Sequence, residues 1–453
     1  MELSAIPKKA SKFVEIDSAV KFDIPVSPDH EFFTNFEDVR GEFNENLIYS
    51  ALNVSEAPET SIYTYNETNP FNKSLVFLAG HRGSGKTSEI QKWVQKLDNP
   101  DCFLCITCNI DKGLDKNDVE YTDILIFQLE QLFKRLEEKN ILVESDILEE
   151  MQAWYAETIR EVNKKLTSKM EIEAGLETKA SIPFLSKLFM NLKAGILGST
   201  ERATVIRSTI KNNFSEFASK FNMFIYRINE LIKTQKVARE VFFVVDGLEK
   251  TMSTESRRKI IMEESNRIQE IKVNTLFTLP VELMSEQRRL ENFSTIIPFP
   301  FVKLIERDGA RVEKAIERYR QFIYKRVSKE LFDSDETVEK VVLTSGGSPR
   351  ELLRILEYTA FYSDKQKGIL TRDALNKAVK HLAADASRYL TDKDIEILKK
   401  IKLANEKGIP ILFMDGLQDL LEKLIVFEYN TGTYKRVNPV IEESDIYKFY
   451  VAG

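Results

Sequence analysis

"LVFLAGHRGSGKTSEIQKW", residues 75–93, decides the fold. An apolar run ends in a glycine-rich turn, and the turn opens into a helix predicted over residues 86–97. Gly80, His81, Arg82, Gly83, Ser84, Gly85, Lys86 and Thr87 fit G-x-x-x-x-G-K-[ST], with Ser88 next in the chain. In this pattern the backbone N–H groups of the tight turn surround a phosphate, and the helix N-terminus adds its positive end. Lys86 is expected to reach the β- and γ-phosphates, and the Thr87 hydroxyl to ligate Mg²⁺. The apolar strand before the turn and the helix after it separate this match from a fortuitous glycine turn.

A phosphate cradle of this kind calls for an acid at the end of an apolar strand, beside the metal. "EVFFVVDGLEK", residues 240–250, supplies Asp246 as the second Mg²⁺ ligand, with Gly247 directly after it and Glu249 three residues on. Further strands are predicted at 103–109, 272–280 and 294–302, with helical runs between them. Strands alternating with helices predict an α/β fold, a three-layer arrangement with a parallel sheet covered on both faces. Neither N-K-x-D nor T-K-x-D, which would read guanine, occurs: the Asn-Lys sequences NKSL, NKKL and NKAV lack the acid. ATP is therefore expected rather than GTP.

The chain has 453 residues, 43% hydrophobic and 30% charged, with only 17 Gly and 13 Pro. That describes a soluble globular protein of about two to four domains without long flexible linkers. A net charge of −6 and a pI of about 5.6 give no global attraction to nucleic acid. The opening MELSAIPKKASKFVEID has no apolar h-region, and a cytoplasmic protein is expected. The stretch IPFLSKLFMNLKAGIL, 182–197, carries two lysines and is shorter than the ~20 apolar residues of a membrane span, so it is expected at a surface. Cys102, Cys105 and Cys108 fall in one strand candidate, which sets Cys102 and Cys105 on opposite faces. Buried thiols are expected there rather than a metal knuckle.

With these motifs in place, the chain resembles the signal-transducing P-loop ATPases, including NACHT and KAP types, within the wider AAA+ neighbourhood. Origin-recognition-type initiators are similar too, but they carry Glu directly after the metal-binding Asp, where Gly247 stands. The resemblance implies that Glu249 positions the attacking water. It implies that Thr278, ending the strand NTLFTL, contacts that water or the γ-phosphate. "SGGSPRELLR", 345–354, resembles both a G-x-P motif and a lid arginine segment, so Gly347 and Pro349 would press on the nucleotide and Arg350 would face the phosphates. Arg288 or Arg289 would be an arginine finger, reaching a neighbouring copy in a homo-oligomer.

Four regions follow: an N-terminal extension, 1–69, with one helix around 38–52; a nucleotide core, 70–305; a helical lid, 306–390; and a tail, 391–453. The core contains a helical insertion, 115–238, too polar to span a membrane and expected to be a platform for a protein partner. A hairpin is predicted inside it, at 170–184. The tail reads as two helices, 391–407 and 415–424, and a hairpin around Asn430-Thr-Gly432-Thr, the outline of a winged helix. Its nine Lys/Arg against eleven Asp/Glu favour protein contact over DNA, although Lys435 and Arg436 on the wing leave DNA open. The expected protein is an ATP-hydrolysing switch, which the resemblance sets in a prokaryotic defence or mobile-element system. The alternative is a DNA-binding initiator or transposition-type ATPase.

Overall fold

The computed structural model describes residues 7–66, 73–166, 180–251, 253–412, 414–430 and 432–453. The strands in chain order are β1 Val54–Glu56, β2 Tyr63–Tyr65, β3 Leu75–Gly80, β4 Phe103–Asn109, β5 Glu240–Asp246, β6 Asn274–Pro280, β7 Thr295–Pro298, β8 Val426–Tyr429 and β9 Tyr434–Val437. β1 and β2 form a small antiparallel ribbon. β3 to β7 form one parallel sheet in the order β4-β5-β6-β3-β7. The strand leading into the glycine turn and the strand ending in Asp246 are thus separated by β6 alone.

Residue alternation sorts the sheet into two faces. Phe77, Ala79, Val241, Phe243 and Val245 point into one apolar cluster, and Val76, Leu78, Phe242 and Val244 into another. Helix Lys86–Leu97 and the six-residue helix Asn46–Ala51 cover the second face through Ile90, Trp93, Leu97, Ile48 and Tyr49. The first face is covered by helices of the 115–238 segment. Tyr121–Glu138 buries residues nearly all round its circumference, because it lies between β4 and the helices outside it. The result is a three-layer α/β P-loop NTPase fold with a large helical insertion.

The insertion accordingly supplies a layer of the core. Its described helices are Tyr121–Glu138, Ser145–Lys165, Ile182–Gly198, Thr200–Asn212 and Phe214–Thr234. A buried ion cluster ties it together: Arg207 on Thr200–Asn212 meets Asp123, and its Nη1 lies 2.9 Å from Asp118. The hairpin expected at 170–184 falls largely outside the described residues, and its described end, Ile182 onward, is helical. No helix among the described residues is long and apolar enough to cross a membrane.

Two more expectations change. The single helix expected over 38–52 is a 3-10 turn, Glu37–Val39, and the separate helix Asn46–Ala51, with Gly41 between them. Cys102 precedes β4, so it shares the face of Cys105 instead of opposing it, and Cys108 takes the other face. All three thiols are buried, and burial pushes their pKa values up, to about 12 for Cys102.

Beyond the sheet, the region expected to be a lid consists of helices Glu313–Arg326, Asp335–Thr344, Pro349–Tyr362 and Arg372–Ser387. The N-terminal segment does not stand apart. Ile16, Val20, Phe32 and Phe36 share a core with the lid residues Ile316, Tyr319 and Leu356. The tail consists of helices Asp392–Glu406 and Leu417–Glu422 and the antiparallel β8/β9 hairpin, followed by two short helical turns.

Candidate functional site

The C-terminal ends of β3 and β5 open onto a cavity of about 520 Å³. Residues 82–89 of the glycine turn form its floor, and Glu249, Lys250 and Asp111 close one side. Pro349, Arg350 and Leu353 of the lid face them across the opening. The remaining wall comes from the N-terminal segment, from Phe22 to Val26 and from Phe32 to Thr34 with Phe36 and Arg40, and from Phe322 and Arg326. The size suits a nucleotide, since ligand cavities run from about 300 to 1,000 Å³.

Gly85 begins the helix that carries Lys86 and Thr87. Lys86 is 3% exposed, and its Nζ donates to the carbonyls of Gly80 and His81 at 2.9 and 2.8 Å. Glu249 lies 3.8 Å from the same ammonium. Thr87 Oγ1 donates to Asp246 Oδ2 at 2.7 Å. Burial, with Glu249 adding to it, pushes the Asp246 pKa up to about 6. Burial alone would raise Glu249 too, but the Lys86 ammonium, its own backbone N–H, Lys250 and Thr278 together outweigh it and hold Glu249 low.

Buried oxygens here have no hydrogen-bond partner among the described residues, among them Asp246 Oδ1, Glu249 Oε2, Asp111 Oδ1 and Ser84 Oγ. A hard divalent cation takes oxygen donors, one or two of them carboxylates, and a carboxylate oxygen with a free lone pair beside a hydroxyl fits it. Thr87 and Asp246 therefore fit Mg²⁺. Thr278 does not end its strand, which runs on to Pro280; it lies level with Leu78 on β3, and its Oγ1 accepts from the Gly247 N–H at 3.1 Å. That contact fixes the turn between Asp246 and Glu249.

Arg350 lies on the glycine turn itself. A Cβ at Gly83 (φ +85°) would sit 2.7 Å from Arg350 Cβ, so only glycine allows this approach. The guanidinium rests 5.0 Å from the centroid of the Phe22 ring, and burial, with Arg82 nearby, lowers its pKa. Pro349 borders the cavity. Gly347 does not, because its Cα is pressed against the Val302 carbonyl. Arg288 and Arg289 end the 3-10 segment Val281–Arg289, away from the cavity lining, and Arg289 pairs with Glu286 at 3.3 Å.

His81 also departs from a phosphate-lining position. Its ring stacks on Phe301, centroids 4.7 Å apart and planes 5° apart. Nε2 accepts from the backbone N–H of Glu428 on β8 at 2.8 Å. Nδ1 lies near the Leu421 carbonyl without forming a hydrogen bond. The glycine turn is thereby joined to the tail. The two cations of the β8/β9 hairpin are engaged within the tail: Lys435 with Glu428 at 3.0 Å and Arg436 with Glu442 at 3.1 Å.

This contact has a pH signature. Burial, with Lys86 nearby, pushes the His81 pKa down to about 3, so the folded chain holds a neutral imidazole. Below its ordinary value of about 6.5 the unfolded chain takes up a proton that the folded chain refuses. The contribution is complete above that pH and is lost as pH falls toward 3, at up to about 1.4 kcal/mol per pH unit. His81→Gln keeps an acceptor for the Glu428 N–H without the titration. It should flatten the fall in urea midpoint between pH 6.5 and 5. An unchanged slope would mean that the folded chain protonates the ring.

No family model matches the chain, and no curated protein matches it. Solved structures resemble it distantly. The Walker-type ATPase PABY2304 of Pyrococcus abyssi is 13% identical over 93% of this chain and 98% of its own, with a TM-score of 0.40. Cdc6p of Pyrobaculum aerophilum is 12% identical over 92% and 96%, with a TM-score of 0.34. The Aeropyrum pernix ORC1 protein, in complex with DNA, is 11% identical over 94% and 96%, with a TM-score of 0.33. With TM-scores below 0.5, these likenesses assign neither a family nor an activity to this chain.

Proposed function

We propose that this protein binds and hydrolyses ATP with Mg²⁺ and acts as an AAA+-like molecular switch. The observation that carries the proposal is the pairing of Thr87 Oγ1 with Asp246 Oδ2 at 2.7 Å, with Asp246 Oδ1 left free, beside the Lys86 ammonium. A hydroxyl and a carboxylate at the end of a phosphate cradle are the donors an Mg²⁺–triphosphate uses. Thr87 and Asp246 would hold Mg²⁺, which would supply positive charge against the charge developing on the phosphates.

The chain's own residues divide the remaining work. Lys86 exchanges its two backbone carbonyls for phosphate oxygens. That exchange draws the ammonium from Glu249, and the free Glu249 Oε2 is then placed to accept a proton from the attacking water. Thr278 holds the Gly247 turn that aims Glu249. Arg350 contributes positive charge from the lid, so closure depends on what the phosphates carry. Arg40, the aromatic residues of the N-terminal segment and Leu353 exclude water from the other end.

A switch needs two states with different contacts. The His81–Glu428 bond supports the tail as the part that responds, with protein partners favoured over DNA because Lys435 and Arg436 already have carboxylate partners. Self-assembly would let Arg288 or Arg289 reach a neighbour's phosphates. Prokaryotic defence and mobile-element systems use switches of this kind, and we place the protein there. Phosphate release with ATP, measured with Mg²⁺ and with excess chelator, tests the reading. Turnover that requires Mg²⁺ is expected, and metal-independent turnover or none, alone or in an assembled state, would reject it.

A further inference from the structure

The cavity has a second end, away from the phosphate cradle. There Phe32, Phe36, Phe322 and Arg326 line it. Arg326 closes the lid helix Glu313–Arg326 and is 3% exposed. Its guanidinium lies 3.7 Å from the centroid of Phe322 and 4.9 Å from that of Phe32. Nη1 donates to the carbonyl of Phe322, one turn back, at 3.1 Å. Among the described residues this is the one hydrogen bond its side chain makes, and no carboxylate pairs with it.

Two other buried guanidiniums are neutralised by carboxylates. Arg207 meets Asp118 and Asp123, and Arg257 meets Glu282 and Glu422. Arg40, on the same cavity lining, has an aromatic face against Phe299 and donates to the Pro300 carbonyl at 2.6 Å. Arg326 too has aromatic faces, and burial lowers its pKa to about 9, which leaves it charged at neutral pH. A buried cation without a counter-charge costs stability. A guanidinium carries five N–H donors, so most of those on Arg326 await an acceptor. Its walls are flat and apolar, which suits an uncharged planar ring more than a second anion.

We propose that Arg326 is the base-reading residue of this pocket: its free N–H groups donate to a ring-nitrogen acceptor of a bound purine lying beside Phe322 and Phe32. This rests on the cavity being an ATP site. The lid would then sense the base through Arg326 and the phosphates through Arg350, so both ends of one nucleotide draw the lid onto the core.

The test is calorimetric titration of the full chain at fixed Mg²⁺ with ATP, with 1-deaza-, 3-deaza- and 7-deaza-ATP, and with tripolyphosphate. Wild type and Arg326→Met are compared, the methionine keeping the apolar contact with both rings. Arg326→Met should weaken ATP about tenfold or more, the scale of a charge-assisted hydrogen bond, and leave tripolyphosphate unchanged. One deaza analogue should bind wild type correspondingly worse than ATP and lose nothing further on Arg326→Met. Equal binding of ATP and all three analogues by wild type would overturn the proposal whether or not the variant folds. So would unchanged ATP affinity in Arg326→Met. A wild type that binds tripolyphosphate and ATP equally removes the base-reading role alone, whereas one that binds neither removes the ATP reading and this one with it.

Discussion

Lys86→Ala is expected to lower ATP turnover by about 10²–10³-fold or more, the cost of deleting one charged donor from a preorganised phosphate site. The ammonium is already in place before any phosphate arrives, held by the carbonyls of Gly80 and His81 and close to Glu249. Its removal has a second effect. Glu249 is buried, and against that burial Lys86 is the largest of the groups that favour its charged form. Without it, Glu249 takes up a proton more readily and can no longer accept one from water. Nucleotide affinity and turnover should therefore both collapse, while the helical circular dichroism signal stays, with about 1–3 kcal/mol lost to the carbonyls and carboxylate left unpaired. Phosphate release and a thermal melt on the same preparation check this, and undiminished turnover would remove the phosphate cradle from the mechanism.

Gly347→Ala is expected to be the most damaging small substitution for stability. The residue has φ +78°, and an alanine Cβ would fall 1.7 Å from the Val302 carbonyl oxygen, which is backbone and cannot swing aside. Left-handed strain of about 1–2 kcal/mol and overpacking of about 1–3 kcal/mol together give roughly 2–5 kcal/mol. The turn is pinned on every side. Tyr319 Oη donates to the Gly347 carbonyl and Tyr429 Oη to that of Gly346, each at 2.6 Å. Ser348 caps the helix that begins at Pro349 and carries Arg350. Displacing the turn should thus lower the urea midpoint and also weaken ATP binding, because Arg350 moves with its helix. A variant as stable as wild type would show that the turn yields without cost.

Where a functional contact lies within a few residues of itself in sequence, the sequence reveals it. The helix Lys86–Leu97 and the strand Phe103–Asn109 have the predicted ends, and Asp246 closes its apolar run as expected. The cavity wall built by Phe22, Phe32 and Arg40 had no such signal. These residues come from irregular backbone, one side chain at a time, and no period marks them. His81 misled for a different reason. The motif is defined by backbone geometry, so the side chain at that position is free to serve another element. The insertion did carry its own clue: ILIFQLEQLF has apolar residues around most of a helix, a pattern that requires cover on both sides. Gly347 was read for a ligand when its lack of a Cβ serves the Val302 backbone.

The His81–Glu428 bond spans 347 residues. A ribosome adding about 5–20 residues per second needs on the order of 20–70 s to make that span. Throughout that interval the glycine turn has been made, but the strand whose N–H donates to its histidine does not exist. A nascent chain therefore carries its phosphate-binding sequence long before it carries the tail contact, and any ATP held during translation is held by a turn not yet joined to its output.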